Sequence, residues 1–232
     1  MPAHAYRRYA IYYTPPPGPL ARFGAEWLGW DVEKGSFPDS RRVIPGLGTS
    51  IDSLTEKPRR YGFHATVKSP FRLAKDHSER TLITALSTFC SKHTAVGTCG
   101  LEVARLGGFA ALVPAGDARD LNDLAAQVVE DLDLYRSEET EAEIARRDTI
   151  FLSDAQRDNL RRWGYPYVLD SYRFHMTLTG AHGHAQAERT RAVLADYMAP
   201  LLPRPFTLES LSLVGENTDG RFKLIQRFNL GR

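Results

Sequence analysis

Two histidines lie in nearly the same sequence context, about half the chain apart. RRYGFHATVKSPF contains His64, and SYRFHMTLTG contains His175. In both segments Phe precedes the histidine, and an apolar residue, a threonine (Thr66 or Thr177) and a second apolar residue follow. Histidine titrates near neutral pH, so one imidazole can accept a proton while another donates one. Brought together, the segments would supply a general base, a general acid and two hydroxyl groups.

The alternation of apolar and polar residues predicts a strand for each segment, and alternate residues of a strand face opposite sides. The apolar set of each strand is expected under helices and the polar set in a cleft. The polar faces would carry Arg60, His64, Thr66 and Lys68 in the first copy, and Arg173, His175 and Thr177 in the second.

This set of side chains suits a phosphodiester. A neutral imidazole can take a proton from attacking water, and a charged one can protonate the departing oxygen. Hydroxyl groups and cations can bind the non-bridging oxygens as charge develops. Neither a metal nor another cofactor is expected, and the residues do not reveal which histidine is the base. The predicted catalytic residues are His64 and His175, and the predicted substrate-binding residues are Thr66, Thr177, Arg173, Arg60 and Lys68.

The elements around the histidines also repeat in order. Each half of the chain reads as histidine strand, helix, strand, turn and strand. Capping boxes at Asp76–Glu79 and Ser153–Gln156 predict helix starts, and a helix is expected over 117–135. Gly107-Gly108 and the Asp-Gly of NTDGR predict hairpins.

This order predicts an α+β fold in which a pseudo-twofold duplication forms one bilobal domain over 1–232. The lobes would span roughly 1–116 and 117–232, with antiparallel sheets lining a central cleft and helices outside. A charged segment near 137–168 reads as a helical insertion in the second lobe. Its polar residues predict a solvated face, with a lid over the cleft as the lesser alternative.

Composition bounds the class of protein. The 232 residues are 42% hydrophobic and 25% charged, with a net charge of +2, which is near the average for soluble globular proteins. There is no apolar run long enough to span a bilayer and no signal-peptide layout, so a cytoplasmic location is expected. Cys90 and Cys99 show no metal-ligand pairing and are expected to be small core residues.

FHATV and FHMTL resemble the paired His-x-Thr motifs of the 2H phosphoesterase (LigT-like) superfamily. The flanking RYGFHATVKSPFRLA and WGYPYVLDSYRFHMTLTG are similar to its branch of phosphonate-operon proteins from bacteria. The resemblance implies a bilobal LigT-like fold, catalytic histidines at 64 and 175, and phosphate binding by Thr66 and Thr177. It implies cyclic phosphates or RNA ends as substrates, and a phosphorylated sugar from the phosphonate context.

Two other readings stay open at this stage. The same cleft could bind a phosphorylated metabolite or RNA end without turning it over. Two histidines could instead ligate a metal, although without a third ligand at suitable spacing a tetrahedral zinc site would be underfilled. The favoured reading is a metal-independent phosphodiesterase that opens a nucleotide, RNA-end or phosphoribosyl cyclic phosphate, acting on a small substrate and without membrane attachment.

Overall fold

The computed structural model describes residues 5–148 and 151–231. Its strands are β1 (Tyr9–Tyr13), β2 (Ala65–Phe71), β3 (Val96–Thr98), β4 (Gly100–Leu106), β5 (Phe109–Ala115), β6 (Met176–Thr177), β7 (Phe206–Leu208), β8 (Ser210–Glu216) and β9 (Phe222–Asn229). The helices in this part of the chain are α1 (Pro19–Leu28), α2 (Ile51–Arg59), α3 (Glu79–Lys92), α4 (Arg119–Asp131), α5 (Glu141–Arg147), α6 (Asp154–Trp163) and α7 (His184–Met198).

Seven strands form one sheet in the order β4-β5-β6-β2-β1-β8-β9, and β3 pairs with β7 separately. Every pairing between these strands is antiparallel, so the α+β class is confirmed. The order interleaves strands from both halves of the chain: β6 lies between β5 and β2, and the β8–β9 hairpin lies beside β1. The boundary between two lobes near residue 116 stays a prediction. The sheet does not mark it, because strands from both sides of that residue lie side by side.

One face of the sheet packs against α3, α4 and α7 and forms the main core. The helix stripes supply Leu82, Leu86 and Phe89, then Leu121, Leu124 and Val128, then Leu194 and Met198. The phenylalanines before the two histidines, Phe63 and Phe174, are each 3% exposed and belong to this core. Both phenylalanines pack into the core on the sheet face opposite the histidines, as the alternation predicts.

A smaller apolar cluster covers part of the opposite face, the one that carries the histidines. It consists of Ala10, Tyr12, Trp30, Val32, Val214 and Phe222, with Tyr61 and Leu224 packed against it. This explains why β1 and β8 are buried along their whole length, since both of their faces are covered.

Several local predictions are confirmed. Gly107-Gly108 joins β4 to β5 with Leu106 opposite Phe109, and Asn217–Arg221 joins β8 to β9. Within the charged segment, α5 and α6 are helices and α6 is opened by the Ser153–Gln156 capping box, while the status of this segment as an insertion stays a prediction. The box at Asp76 was wrong: α3 begins two residues later, capped by Ser78 and Thr81. Cys90 is buried as expected but Cys99 is exposed.

In the described part of the chain, no helix is both long and apolar enough to cross a lipid bilayer.

Candidate active site

The two histidine motifs are neighbours in the sheet. Strands β2 and β6 pair with Ala65 opposite Met176, and each histidine immediately precedes its strand. Continued by one residue each way, the antiparallel register sets His64 across from Thr177 and His175 across from Thr66. On this register the two histidines are diagonal neighbours on one face, and the residue positions of such a pair are typically about 7–8 Å apart. Both predicted strands were too long at their starts, because regular pairing begins only after each histidine, and the second was also too long at its end, since β6 is Met176–Thr177.

The two histidines make the same backbone hydrogen bond. Nδ1 of His64 lies 2.9 Å from the carbonyl oxygen of Gly62, and Nδ1 of His175 lies 2.8 Å from that of Arg173. Because a carbonyl only accepts, Nδ1 carries the proton in each ring. A neutral ring then keeps its lone pair on Nε2, which is the atom left for chemistry.

A tight turn places the carbonyl that His64 uses. Gly62 adopts φ 74°, and a Cβ added there would come within 2.5 Å of the Val32 side chain. A non-glycine residue would be strained in this conformation and would collide with Val32.

His64 is enclosed on several sides. Its Nε2 lies 2.9 Å from Oγ1 of Thr66, and its ring stacks on the Tyr12 ring with centroids 3.8 Å apart and planes 22° from parallel. Tyr61 is the next aromatic neighbour, at 6.1 Å. The pKa of His64 is lowered to about 4, chiefly because burial removes water from the ring; the charge of His175 acts in the same direction and the Gly62 hydrogen bond opposes them. His64 is therefore neutral at pH 7, the form that a general base requires.

His175 has a more open setting. Its ring lies 5.9 Å from that of Phe109, at 50°, and its motif is tied to the first one through Tyr172, whose hydroxyl donates to the backbone carbonyl of Thr66 at 2.9 Å. The two histidines therefore differ in their surroundings, since the His64 ring is stacked and enclosed and the His175 ring is more open.

The predicted arginines lie near the motifs but are turned elsewhere. Arg173 is exposed, and its guanidinium donates to the backbone carbonyls of Asp170 and Tyr172. Arg60 is exposed in the turn after α2, with its guanidinium carbon 4.5 Å from the centre of the Tyr61 ring. Substrate binding by either arginine stays a prediction.

Lys68 is not on the histidine face, so the strand-phase argument for it was wrong. Ile11 pairs with Lys68 while Tyr12 pairs with Thr66, so β2 contains one extra residue between them. Such a bulge reverses the alternation beyond it. Lys68 is 3% exposed and donates to the Val129 carbonyl (3.1 Å) and to Asp133 (2.9 Å), against α4.

Sequence reasoning also missed Tyr12 and Tyr172 as neighbours of the histidines. The alternation of YAIYY put Tyr12 on one face of a strand, but the face mattered only once β1 was known to lie beside β2. Long-range strand order has no signal in a single sequence, so stacking between residues 12 and 64 could not be inferred.

A groove of about 630 Å³ lies elsewhere, between α3 and the end of α4, lined in part by Arg80, Lys92, His93 and Leu134. Both helices pack on the sheet face away from the histidines. Within residues 5–148 and 151–231, no group of three or more His, Cys, Asp or Glu side chains is placed to hold a metal ion.

Together these features define an α+β protein whose central antiparallel strands present two histidines in matching hydrogen-bonded settings. A family model described as a protein of unknown function, DUF1045, matches residues 66–223. The chain therefore belongs to the DUF1045 family.

Two curated relatives are both named ribose 1,5-bisphosphate phosphokinase PhnN. The protein from Janthinobacterium sp. (strain Marseille) is 37% identical over 219 residues, which is 92% of this chain and 48% of the relative. The protein from Laribacter hongkongensis (strain HLHK9) is 35% identical over 176 residues, which is 74% of this chain and 40% of the relative. The chain thus spans less than half the length of each.

Solved structures similar to this chain include a phosphoesterase, with 13% identity, a TM-score of 0.44 and coverage of 97% of this chain and 99% of that one. The E. coli LigT complex with NADP+ has 14% identity, a TM-score of 0.45 and coverage of 98% and 99%.

Proposed function

We propose that this chain is a phosphodiesterase that opens a cyclic phosphate by paired-histidine acid–base catalysis, with His64 as the base and His175 as the acid. The observation that carries the proposal is the matched pair of Nδ1 hydrogen bonds on adjacent strands. They direct both Nε2 atoms away from the backbone. Nε2 of His64 accepts a hydrogen bond from the Thr66 hydroxyl, which we propose the attacking water replaces when a phosphodiester binds between the two rings.

In the proposed reaction, Nε2 of neutral His64 takes a proton from water as the water oxygen bonds to phosphorus. The bond from phosphorus to one ring oxygen breaks, and Nε2–H of charged His175 protonates that oxygen. The products are a phosphomonoester and a free hydroxyl group, and one proton passes from His64 to His175 through solvent to reset the site. The two imidazoles supply both proton transfers, so no metal is required for them.

The hydroxyl groups of Thr66 and Thr177 are proposed to bind the non-bridging phosphoryl oxygens. Both residues are partly buried, and the register places each across from a histidine. When Nε2 of His64 turns its lone pair to water, the Thr66 hydroxyl that donates to it at 2.9 Å is released, and both hydroxyls can then stabilise the charge that builds up in the transition state. The sequence resemblance to the His-x-Thr motifs supports the same roles.

Among nucleotide, RNA-end and phosphoribosyl substrates, we favour the phosphoribosyl type. Both curated relatives are named for phosphorylating ribose 1,5-bisphosphate, and this chain matches less than half of each. Our chain contains no Gly-Lys pair and thus no P-loop signature GxxxxGK[ST], so we assign the matched part a role other than P-loop phosphate transfer. Opening a 1,2-cyclic phosphate of ribose 5-phosphate at the 2-oxygen would yield ribose 1,5-bisphosphate for such a kinase.

The test is a screen of ribose and nucleoside cyclic phosphates with wild-type protein and the His64→Ala and His175→Ala variants. Each acid or base contributes about a hundred- to ten-thousand-fold, so either variant should lose turnover by that factor. A double variant no slower than either single variant would fit two groups that act as a unit. Full activity in His175→Ala would reject the mechanism.

The same screen separates catalysis from binding alone. If titration calorimetry detects tight binding of a cyclic phosphate, and this compound is recovered unchanged, the chain is a binding module. If nucleoside cyclic phosphates are opened faster than the phosphoribosyl compound, the mechanism stands and the substrate assignment falls.

A further inference from the structure

Tyr12 occupies a fixed place under the proposed base. It lies in the middle of β1, opposite Thr66 on one side and Ser212 on the other. Its side chain is fully buried, and its ring also lies 5.9 Å from that of Phe222. The backbone of β1 is hydrogen-bonded to strands on both sides, so the position of the Tyr12 ring beneath His64 is fixed.

Three contacts together define the orientation of the His64 ring. The Gly62 carbonyl and the Thr66 hydroxyl hold its two nitrogens in the plane, and Tyr12 covers one face at 3.8 Å. The corresponding ring of His175 shares the backbone contact, and its aromatic neighbour within the described residues is the more distant, tilted Phe109. The stacked ring is thus what distinguishes the two histidines.

We propose that Tyr12 is a positioning residue for His64. The Tyr12 ring excludes water from one face of the imidazole and holds Nε2 where it receives the proton of the attacking water. The last part rests on the proposed function, but the stacking and water exclusion do not.

The electrostatic surroundings agree with this role. Burial is the largest influence on the His64 pKa, and His175 is the charged neighbour that acts on it. Other polar groups near it in the described part of the chain include the Thr66 hydroxyl, Tyr12 and Tyr61, and the Arg60 guanidinium lies over the Tyr61 ring. A protonated His64 ring over the Tyr12 face would gain a cation–π attraction, so the midpoint measured below is the net of that attraction and the exclusion of water.

The experiment is an NMR titration of the His64 ring in wild-type protein, Tyr12→Phe and Tyr12→Leu, with the resonance assigned by its loss in His64→Asn. Tyr12→Phe removes only the hydroxyl, which is buried with no hydrogen-bond partner in the described part of the chain. It should keep the low midpoint, near 4. Tyr12→Leu admits water and should raise the midpoint by about one unit or more, towards the ordinary 6.5.

The matched control is Tyr9→Leu, a buried tyrosine on the opposite face of the same strand, bonded to Glu79 instead of a histidine. It should leave the His64 midpoint unchanged. If Tyr12→Leu does not fold, Tyr12→Met is the second variant, because its flexible unbranched side chain adapts to irregular space, and it is expected to give the same shift. A wild-type midpoint near 6.5, or no shift in a folded Leu or Met variant, would overturn the proposal.

Activity provides a second readout. Where a cyclic phosphate is turned over, the acid limb of the rate profile should move to higher pH in Tyr12→Leu, and a purely structural role would lower the rate equally at all pH values. The NMR midpoint needs no substrate, so it decides the role of Tyr12 even if the proposed phosphodiesterase activity is absent.

Discussion

The Tyr172 hydroxyl donates a hydrogen bond of 2.9 Å to the backbone carbonyl of Thr66. Tyr172 is 6% exposed and belongs to the main core, so the bond lies beneath the histidine face. It joins the segment of one motif to the strand of the other. Because β6 contains only two residues, this side-chain bond supplements a short backbone ladder.

Tyr172→Phe should therefore loosen the contact between the motifs with little change in packing. A buried hydrogen bond is worth about 0.5–1.5 kcal/mol net, which should appear as lost stability in urea unfolding. Turnover should fall several-fold as the imidazole separation becomes less fixed. Tyr167→Phe is the control, since Tyr167 is exposed and meets Tyr165 edge-on. Equal stability of the two variants would contradict a linking role.

Local patterns predicted much of the fold. The helix stripes, both hairpin turns and the α6 cap depend on residues close in sequence, and the structure has all of them. The alternation around both histidines correctly put Phe63 and Phe174 in the core. These features follow from periodicity and turn chemistry, which one sequence contains.

The parts of the site that depend on distant pairing were not predictable. The β2 bulge near Val67 arises from pairing with β1, and the stack of Tyr12 on His64 needs the same neighbour. The adjacency of β2 and β6 inside one sheet joins residues more than a hundred positions apart. Such relationships are fixed by tertiary packing, which leaves no local trace.

Because the bulge turns Lys68 into the core, we expect Lys68 to contribute to stability and not to substrate binding, which is still predicted for the arginines. Lys68→Met keeps the buried stem and removes hydrogen bonds from a charged group, so stability should fall by about 1.5–3 kcal/mol. Asp133 keeps its two bonds to Arg136, which limits the loss. The KM of the folded variant should stay near that of wild type.

Arg173→Met is the comparison, because Arg173 is exposed on the histidine segment. Its stability should change by less than about 0.5 kcal/mol. If the guanidinium binds the substrate phosphate, KM should rise about tenfold, which corresponds to about 1.4 kcal/mol. A raised KM in Lys68→Met would instead return Lys68 to the binding site.

The start of α3 offers a test of capping. The Ser78 hydroxyl accepts from the Thr81 amide at 3.3 Å, and the Thr81 hydroxyl accepts from the Ser78 amide at 3.0 Å. Ser78→Ala should cost about 1 kcal/mol in urea unfolding. Asp76→Ala, at the exposed position that the sequence pattern favoured, should cost almost nothing. A larger loss for Asp76→Ala would place the cap where the sequence pattern put it.

The enclosure of His64 should also make folding depend on pH. Its pKa falls from the ordinary 6.5 to about 4 on folding, so between these values the unfolded chain binds a proton that the folded chain does not. Stability is then complete above about pH 6.5 and declines as pH falls towards 4. At about 1.36 kcal/mol per unit, the decline attributable to His64 is at most about 3.4 kcal/mol.

His64→Asn removes this titration and keeps an amide able to donate to the Gly62 carbonyl. The unfolding free energy of both proteins is measured with urea from pH 7 down to pH 4. Over this range the wild-type protein should lose more unfolding free energy than His64→Asn. Other titrating groups are common to both proteins and cancel in the comparison. Parallel curves over this range would mean that water reaches the His64 ring in the folded protein, and the assignment of His64 as a base that is neutral well below pH 6 would be lost.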